Sequence, residues 1–242
     1  MKTKKIISVL FMFSSLAFNL NAQTQSTEKM TLSLKEQSIV RIAAFTAKGD
    51  LSQLKTVLNE GLDAGLSINQ IKEAIVHLYA YCGFPRSIRG LQTFMEVLDD
   101  RKAKGIKDRL GGDASQIEDT RSKYERGKEI LGKLIGTPQE RPKTGYAAFA
   151  PEIDQFLKEH LFADIFERDV LSYRERELVT ISVLSSIGGV EPMLYAHLTI
   201  CLNVSLLPDE LLQFISIIRS SIGGKEADAA QLVLDKVLKD RK

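Results

Sequence analysis

Leu32-Ser33-Leu34-Lys35-Glu36 and Leu171-Ser172-Tyr173-Arg174-Glu175 are two versions of one pentapeptide, 139 residues apart in a chain of 242. The match runs on through Val40/Val179, Ile42/Ile181 and Gly49/Gly188. It takes one inserted residue near Gly189 and resumes at an offset of 140 with Leu54/Leu194, Leu58/Leu198, Leu62/Leu202 and Leu66/Leu206. Ile75/Ile215, Gly83/Gly223, Val97/Val237 and Leu98/Leu238 complete it. The paired positions are mainly apolar and fall at helical spacing, so what repeats is a packing unit.

Each unit predicts four helices. Ser33 and Ser172 are N-caps with a Glu three residues on, an arrangement that satisfies two orphan N–H groups reciprocally. Glycines (Gly49; Gly188 and Gly189) end the first helix. The second spans about 51–65 and 191–204, with Pro192 in a first turn where its missing N–H costs nothing. The third starts at Ser67 and at Pro208 and stops at Gly83 and Gly223-Gly224. A fourth continues to about 100 and 239. No stretch alternates in polarity with β-branched enrichment, so the expected fold is all-α: two copies of a four-helix module in one chain.

The copies set the boundaries at 30–102 and 118–242, with a Gly- and charge-rich linker at 103–117. The second copy carries a helical lead-in, Glu118 to Ile135, stopped by Gly136-Thr137-Pro138. Residues 137–147 read as loop. Phe149 to Phe166 predicts one or two short helices whose Phe156, Phe162 and Phe166 can pack on the second copy.

Ahead of the first copy, Lys2, Lys4 and Lys5 precede an apolar run from Ile6 to Phe18. That run is too short for a hydrocarbon layer of about 30 Å. Residues 1–22 therefore read as a secretory signal peptide, cut after Ala22, with 23–29 a flexible lead-in and the mature chain periplasmic or secreted. The whole chain holds 33 Lys+Arg and 31 Asp+Glu. The signal holds three of the basic residues and no acidic one, which leaves 30 against 31 on the remaining 220. So even a balance argues against a nucleic-acid partner and leaves little repulsion against self-association. Two Cys and three His are too few for zinc ribbons, iron–sulfur clusters or a disulfide framework. Cys82 and Cys201 lie in different copies. They read as small buried hydrophobes or as a pair in an oxidising compartment.

Three stretches resemble the carboxymuconolactone decarboxylase superfamily, which also holds the alkylhydroperoxidase D proteins. Leu171 to Val183 is similar to the family's opening helix. His197 to Asn203, followed by Leu207-Pro208-Asp209-Glu210-Leu211, is similar to its His-bearing helix and the next helix start. Ala80-Tyr81-Cys82-Gly83-Phe84-Pro85 in the first copy is similar to its Tyr-Ala-Gly-Phe/Val-Pro turn. Tyr124 to Gly132 also looks like the start of the single-copy decarboxylases. The resemblance covers about 30–100 and 118–240. It implies a helical module that forms symmetric homo-oligomers with sites near module interfaces, and a duplicate that supplies a pseudo-dimer.

The resemblance also assigns candidate site residues. In the peroxidase branch a Glu, a Cys-x-x-Cys pair and a His do the work. Carried over, the Glu falls near Glu177 and the His on His197, but Val190 and Met193 stand at the Cys positions. Dithiol peroxidase chemistry needs a reactive thiolate and a resolving partner, and neither is there. In the decarboxylase branch His197 matches the family's His, a side chain suited to general acid–base work at neutral pH. Read on its neighbours alone, His197 lies on an apolar stripe with Met193, Leu194, Ile200 and Cys201 and is equally a core residue. Glu177 can hold the imidazole or pair on the surface with Arg174 or Lys158. The first copy lacks the His and the second lacks the Tyr turn, which reads either as one composite site, His197 and Glu177 with Tyr81 and Arg86, or as independent drift of two structural copies. Arg86 or Arg176 would clamp a substrate carboxylate. Glu73 and His77, four apart on one face, are too few for a metal site, and no cofactor or metal is expected. The two functions left open are a cofactor-free decarboxylase-like enzyme acting on a small carboxylate or lactone, and a non-catalytic helical module for ligand binding or assembly.

Overall fold

The computed structural model describes residues 31–139 and 143–241. The expected signal peptide 1–22, the lead-in 23–29 and residues 140–142 of the 137–147 loop lie outside the described residues. Among the described residues all regular structure is helical, as the absence of alternating patterns predicts.

The first copy is α1 (Leu34–Lys48), α2 (Leu51–Asp63), α3 (Ile68–His77) and α4 (Tyr79–Ala103). The lead-in of the second is α5 (Lys123–Ile135), α6 (Tyr146–Phe149) and α7 (Pro151–Phe156), which runs into a π-helical segment, Leu157–Ile165. The second copy proper is α8 (Tyr173–Ile187), α9 (Glu191–Asn203), α10 (Pro208–Ser221) and α11 (Gly224–Asp240). The internal repeat is visible in the first two helices of each copy. α1 and α8 both have 15 residues, and α2 and α9 both have 13. Both expected capping boxes form: the Ser33 and Ser172 hydroxyls accept from Glu36 and Glu175 N–H, and each carboxylate accepts from the cap's own N–H.

One expected helix differs. The run from Ser67 to Gly83 breaks after His77, and Gly83 interrupts α4 with φ 81 and ψ 161. That backbone is closed to side-chain-bearing residues, so the turn depends on glycine. Gly223 does the same between α10 and α11, at φ 144.

α1 and α8 lie against each other at the centre, α1 also packs on α10, and α3 packs on α8. This reciprocity is the internal pseudo-two-fold of a fused dimer. Because each central helix is covered on several sides, its middle is buried nearly all round. Ile39, Val40, Ile42 and Ala43 on α1 join Leu178, Val179, Ile181 and Val183 on α8 in one continuous core. A smaller second core belongs to the lead-in: Ile130 and Leu134 of α5 meet Leu161, Phe162, Ile165 and Phe166, with Ile200 of α9 below. Gly127 permits the close approach inside it. A Cβ there would stand 1.7 Å from the Lys158 carbonyl oxygen.

The linker is tied down rather than loose. Its Arg109 and Leu110 carbonyls accept from the Ile68 and Asn69 N–H groups at the start of α3, taking up donors that a helix N-terminus leaves orphaned. Asp108 forms a doubly bonded ion pair with Arg101.

Candidate functional site at the seam between the copies

The first two turns of α8 carry polar side chains into the core. Arg176, Glu177 and Thr180 are all fully buried, and each meets a partner from another element. Glu177 Oε2 lies 2.8 Å from Nδ1 of His197 on α9. The His197 side chain is 13 % exposed and that of Glu177 is 0 % exposed. The bond consumes the inner nitrogen of the ring, so Nε2 is the nitrogen left for a ligand. The second carboxylate oxygen, Oε1, is buried with no partner among the described residues.

Tyr81, from the first copy, stands edge-on to His197, with ring centroids 5.8 Å apart and an interplanar angle of 83°. Its hydroxyl is 3.2 Å from Thr180 Oγ1. Burial foremost, and then the Glu177 charge, raise the Tyr81 hydroxyl far above the ordinary phenol range, so it stays protonated at any working pH.

Behind Thr180 the polar network continues into the first copy. Thr180 Oγ1 is 2.9 Å from His77 Nε2, and His77 Nδ1 is 3.2 Å from Arg176 Nη1. Arg176 Nη2 donates to Glu73 Oε1 at 2.7 Å and also to the Arg168 carbonyl. Arg168 grips the same Glu73 carboxylate through Nε and Nη2. Phe166, at the end of the lead-in, closes this side. Its ring lies 5.1 Å from His77 and under the Arg176 guanidinium. Burial, then the positive charge of Arg176, hold His77 well below the usual imidazole range, so it is neutral.

The structure thus brings His197, Glu177 and Tyr81 together across the seam. It leaves both arginines out of the expected clamp. Arg176 is fully buried, its guanidinium is engaged by Glu73 and His77, and it holds the two copies together instead. Arg86 is exposed, and its guanidinium lies against Gly49 at the end of α1. It makes none of the contacts that join the other three. Glu73 and His77 are members of the buried network, and among the described residues no group of three or more His, Cys, Asp or Glu could hold a metal ion. Thr180 was not singled out in the sequence. A hydroxyl inside the run Leu178 to Leu184 was the available signal. Both cysteines are free thiols. Burial pushes Cys82 up to about 11 and holds Cys201 well above the usual thiol range, the latter with help from Glu177. Neither has thiolate character at neutral pH.

A family model described as "Carboxymuconolactone decarboxylase family" matches residues 15–94 and 151–236, most of both copies. The chain belongs to the carboxymuconolactone decarboxylase family. A curated relative, the 4-carboxymuconolactone decarboxylase of Acinetobacter baylyi, is 28 % identical over 119 residues. The match covers 49 % of this chain and 88 % of the relative. One decarboxylase therefore corresponds to about half of this family member, in keeping with its duplicated architecture. Among its described residues no helix is long and apolar enough to cross a membrane.

Proposed function

We propose that this chain is a cofactor-free decarboxylase-like enzyme acting on a small lactone that carries a carboxylate, with His197 as proton donor and acceptor and Glu177 as its partner. The single observation that carries this reading is the 2.8 Å bond from the fully buried Glu177 carboxylate to His197 Nδ1. It fixes one tautomer and one ring orientation, as a buried carboxylate does for a general-base histidine. It also offsets the charge of the imidazolium that serves as the donor.

The chemistry follows. When CO₂ leaves a carbon beside a carbonyl, the bonding pair moves into an enolate. The reaction then needs a donor for the enolate oxygen and a proton for the carbon. His197 Nε2–H delivers that proton, the imidazolium becomes imidazole, and solvent restores it. Tyr81 lies against the same ring and is proposed to face the substrate. The expected export signal would place this chemistry outside the cytoplasm, and the pseudo-dimer is proposed as the building block of a homo-oligomer.

The test is CO₂ release from 4-carboxymuconolactone by the purified chain, followed with the ultraviolet change of the lactone. Turnover supports the reading. Its absence, with the fold intact, favours a ligand-binding or assembly module, a reading supported by how completely the network behind Tyr81 is buried.

A further inference from the structure

We infer that the Tyr81 hydroxyl is the hydrogen-bond donor to the substrate's developing oxyanion, and that Thr180 and His77 are positioning residues that free its proton when an acceptor arrives. This rests on the decarboxylase reading above, and it follows from where protons can sit in the network. A guanidinium only donates. Arg176 Nη1, 3.2 Å from His77 Nδ1, therefore makes Nδ1 the acceptor. His77 then carries its one proton on Nε2 and donates to Thr180 Oγ1 at 2.9 Å.

The Thr180 hydroxyl proton has two acceptors in reach. They are the Arg176 carbonyl at 3.0 Å and the Tyr81 oxygen at 3.2 Å. In the closed arrangement Tyr81 donates to Thr180 and Thr180 donates to the Arg176 carbonyl. In the open one Thr180 turns its proton to Tyr81, and the Tyr81 O–H points to a ligand. Two hydroxyl rotations interconvert them and no heavy atom moves. The Arg176 carbonyl keeps its helical partner in both. The His77 donor is what makes this work, because it occupies Thr180 with an incoming bond and leaves it one proton to give.

The chain holds this relay once. At the repeat-related positions Arg41 stands for Thr180, Ile217 for His77 and Ser221 for Tyr81, a set that cannot form it.

The experiment has two arms. In the first, kcat and KM on 4-carboxymuconolactone are compared for wild type, Tyr81→Phe, Thr180→Val, Thr180→Ser and the Tyr81→Phe/Thr180→Val double variant. Tyr81→Phe is expected to lower kcat about 100-fold, in the range of a lost oxyanion donor. Thr180→Val should lower it about 10-fold with KM within about twofold. Thr180→Ser should restore it, and the double variant should be no slower than Tyr81→Phe alone. Losses that multiply in the double variant would mark Thr180 as merely structural and overturn the relay. The second arm needs no turnover. Imidazole ¹⁵N spectra of the wild type should show His77 neutral, with Nε2 protonated and Nδ1 bare, from about pH 8 to about pH 5.5. A cationic or Nδ1-protonated His77 overturns the relay. Failure of the wild type to turn over the lactone, with His77 as expected, overturns the decarboxylase reading and the oxyanion role of Tyr81 with it, and leaves only the proton order of His77 and Thr180 standing.

Discussion

His77 is fully buried, between the donor Arg176 on one side and Thr180 on the other. Its surroundings resist a second proton, while the unfolded chain accepts one below about pH 6.5. The sign follows: as pH falls below 6.5 the unfolded state binds more protons than the folded one, so stability is full above that pH and is lost below it. The loss from this group is at most about 1.4 kcal/mol per pH unit. Urea midpoints at pH 7.5, 6.5 and 5.5 should therefore fall more steeply for wild type than for His77→Gln. His160 and His197 are present in both proteins, so equal slopes would contradict the account. At this scale the sequence was half legible. Likeness to the family pointed to His197, Glu177 and Tyr81. The task of Arg176 was hidden because its partners Glu73 and His77 lie about a hundred residues away in the other copy, and spacing along one helix cannot reveal them.

Among the elements, the ends of α1 and α8 were legible because each carries its own local chemistry, Ser with Glu three residues on at the start and a glycine at the end, and the start of α9 was legible from Pro192 in its first turn. The π-helical segment Leu157–Ile165 was not, since over nine residues its apolar pattern hardly differs from an α-helix. It matters because it sets Phe166, with Phe162 packed against it, as the wall beside His77 and Arg176. Gly127 on α5 is its counterpart. In Gly127→Ala the new methyl meets the Lys158 backbone carbonyl, which no side-chain rotation can relieve. Overpacking of this kind costs about 1–3 kcal/mol. The thermal midpoint should drop accordingly, and an unchanged midpoint would show that the lead-in is not packed as described. Gly90→Ala tests a softer contact, against the Thr46 methyl at 2.7 Å, and should cost less.

For the molecule as a whole, the repeat alone announced two modules, but not that they share one core. Val40, Ile42 and Phe45 of the first copy and Val179, Ile181 and Leu184 of the second belong to the same buried cluster. Arg174 bridges Glu36 and Glu210 across the same seam at 2.6 Å. Neither copy keeps a covered central helix without the other. Unfolding in urea should be one cooperative transition by far-ultraviolet circular dichroism and by tyrosine fluorescence, the chain having no Trp. Two separated transitions would mean independent modules. The shared seam also explains the single site. Glu73, His77 and Tyr81 come from one copy and Arg176, Glu177, Thr180 and His197 from the other. The repeat-related positions of Glu177 and His197 hold Ser38 and Val57, so one pair of modules carries one dyad. The most direct measurement of that claim is kcat on 4-carboxymuconolactone for His197→Gln against wild type, with the melting temperature recorded alongside. Loss of the proposed general acid–base group is predicted to lower kcat by about 100-fold or more in a protein that still folds. A folded His197→Gln variant with wild-type turnover would contradict it.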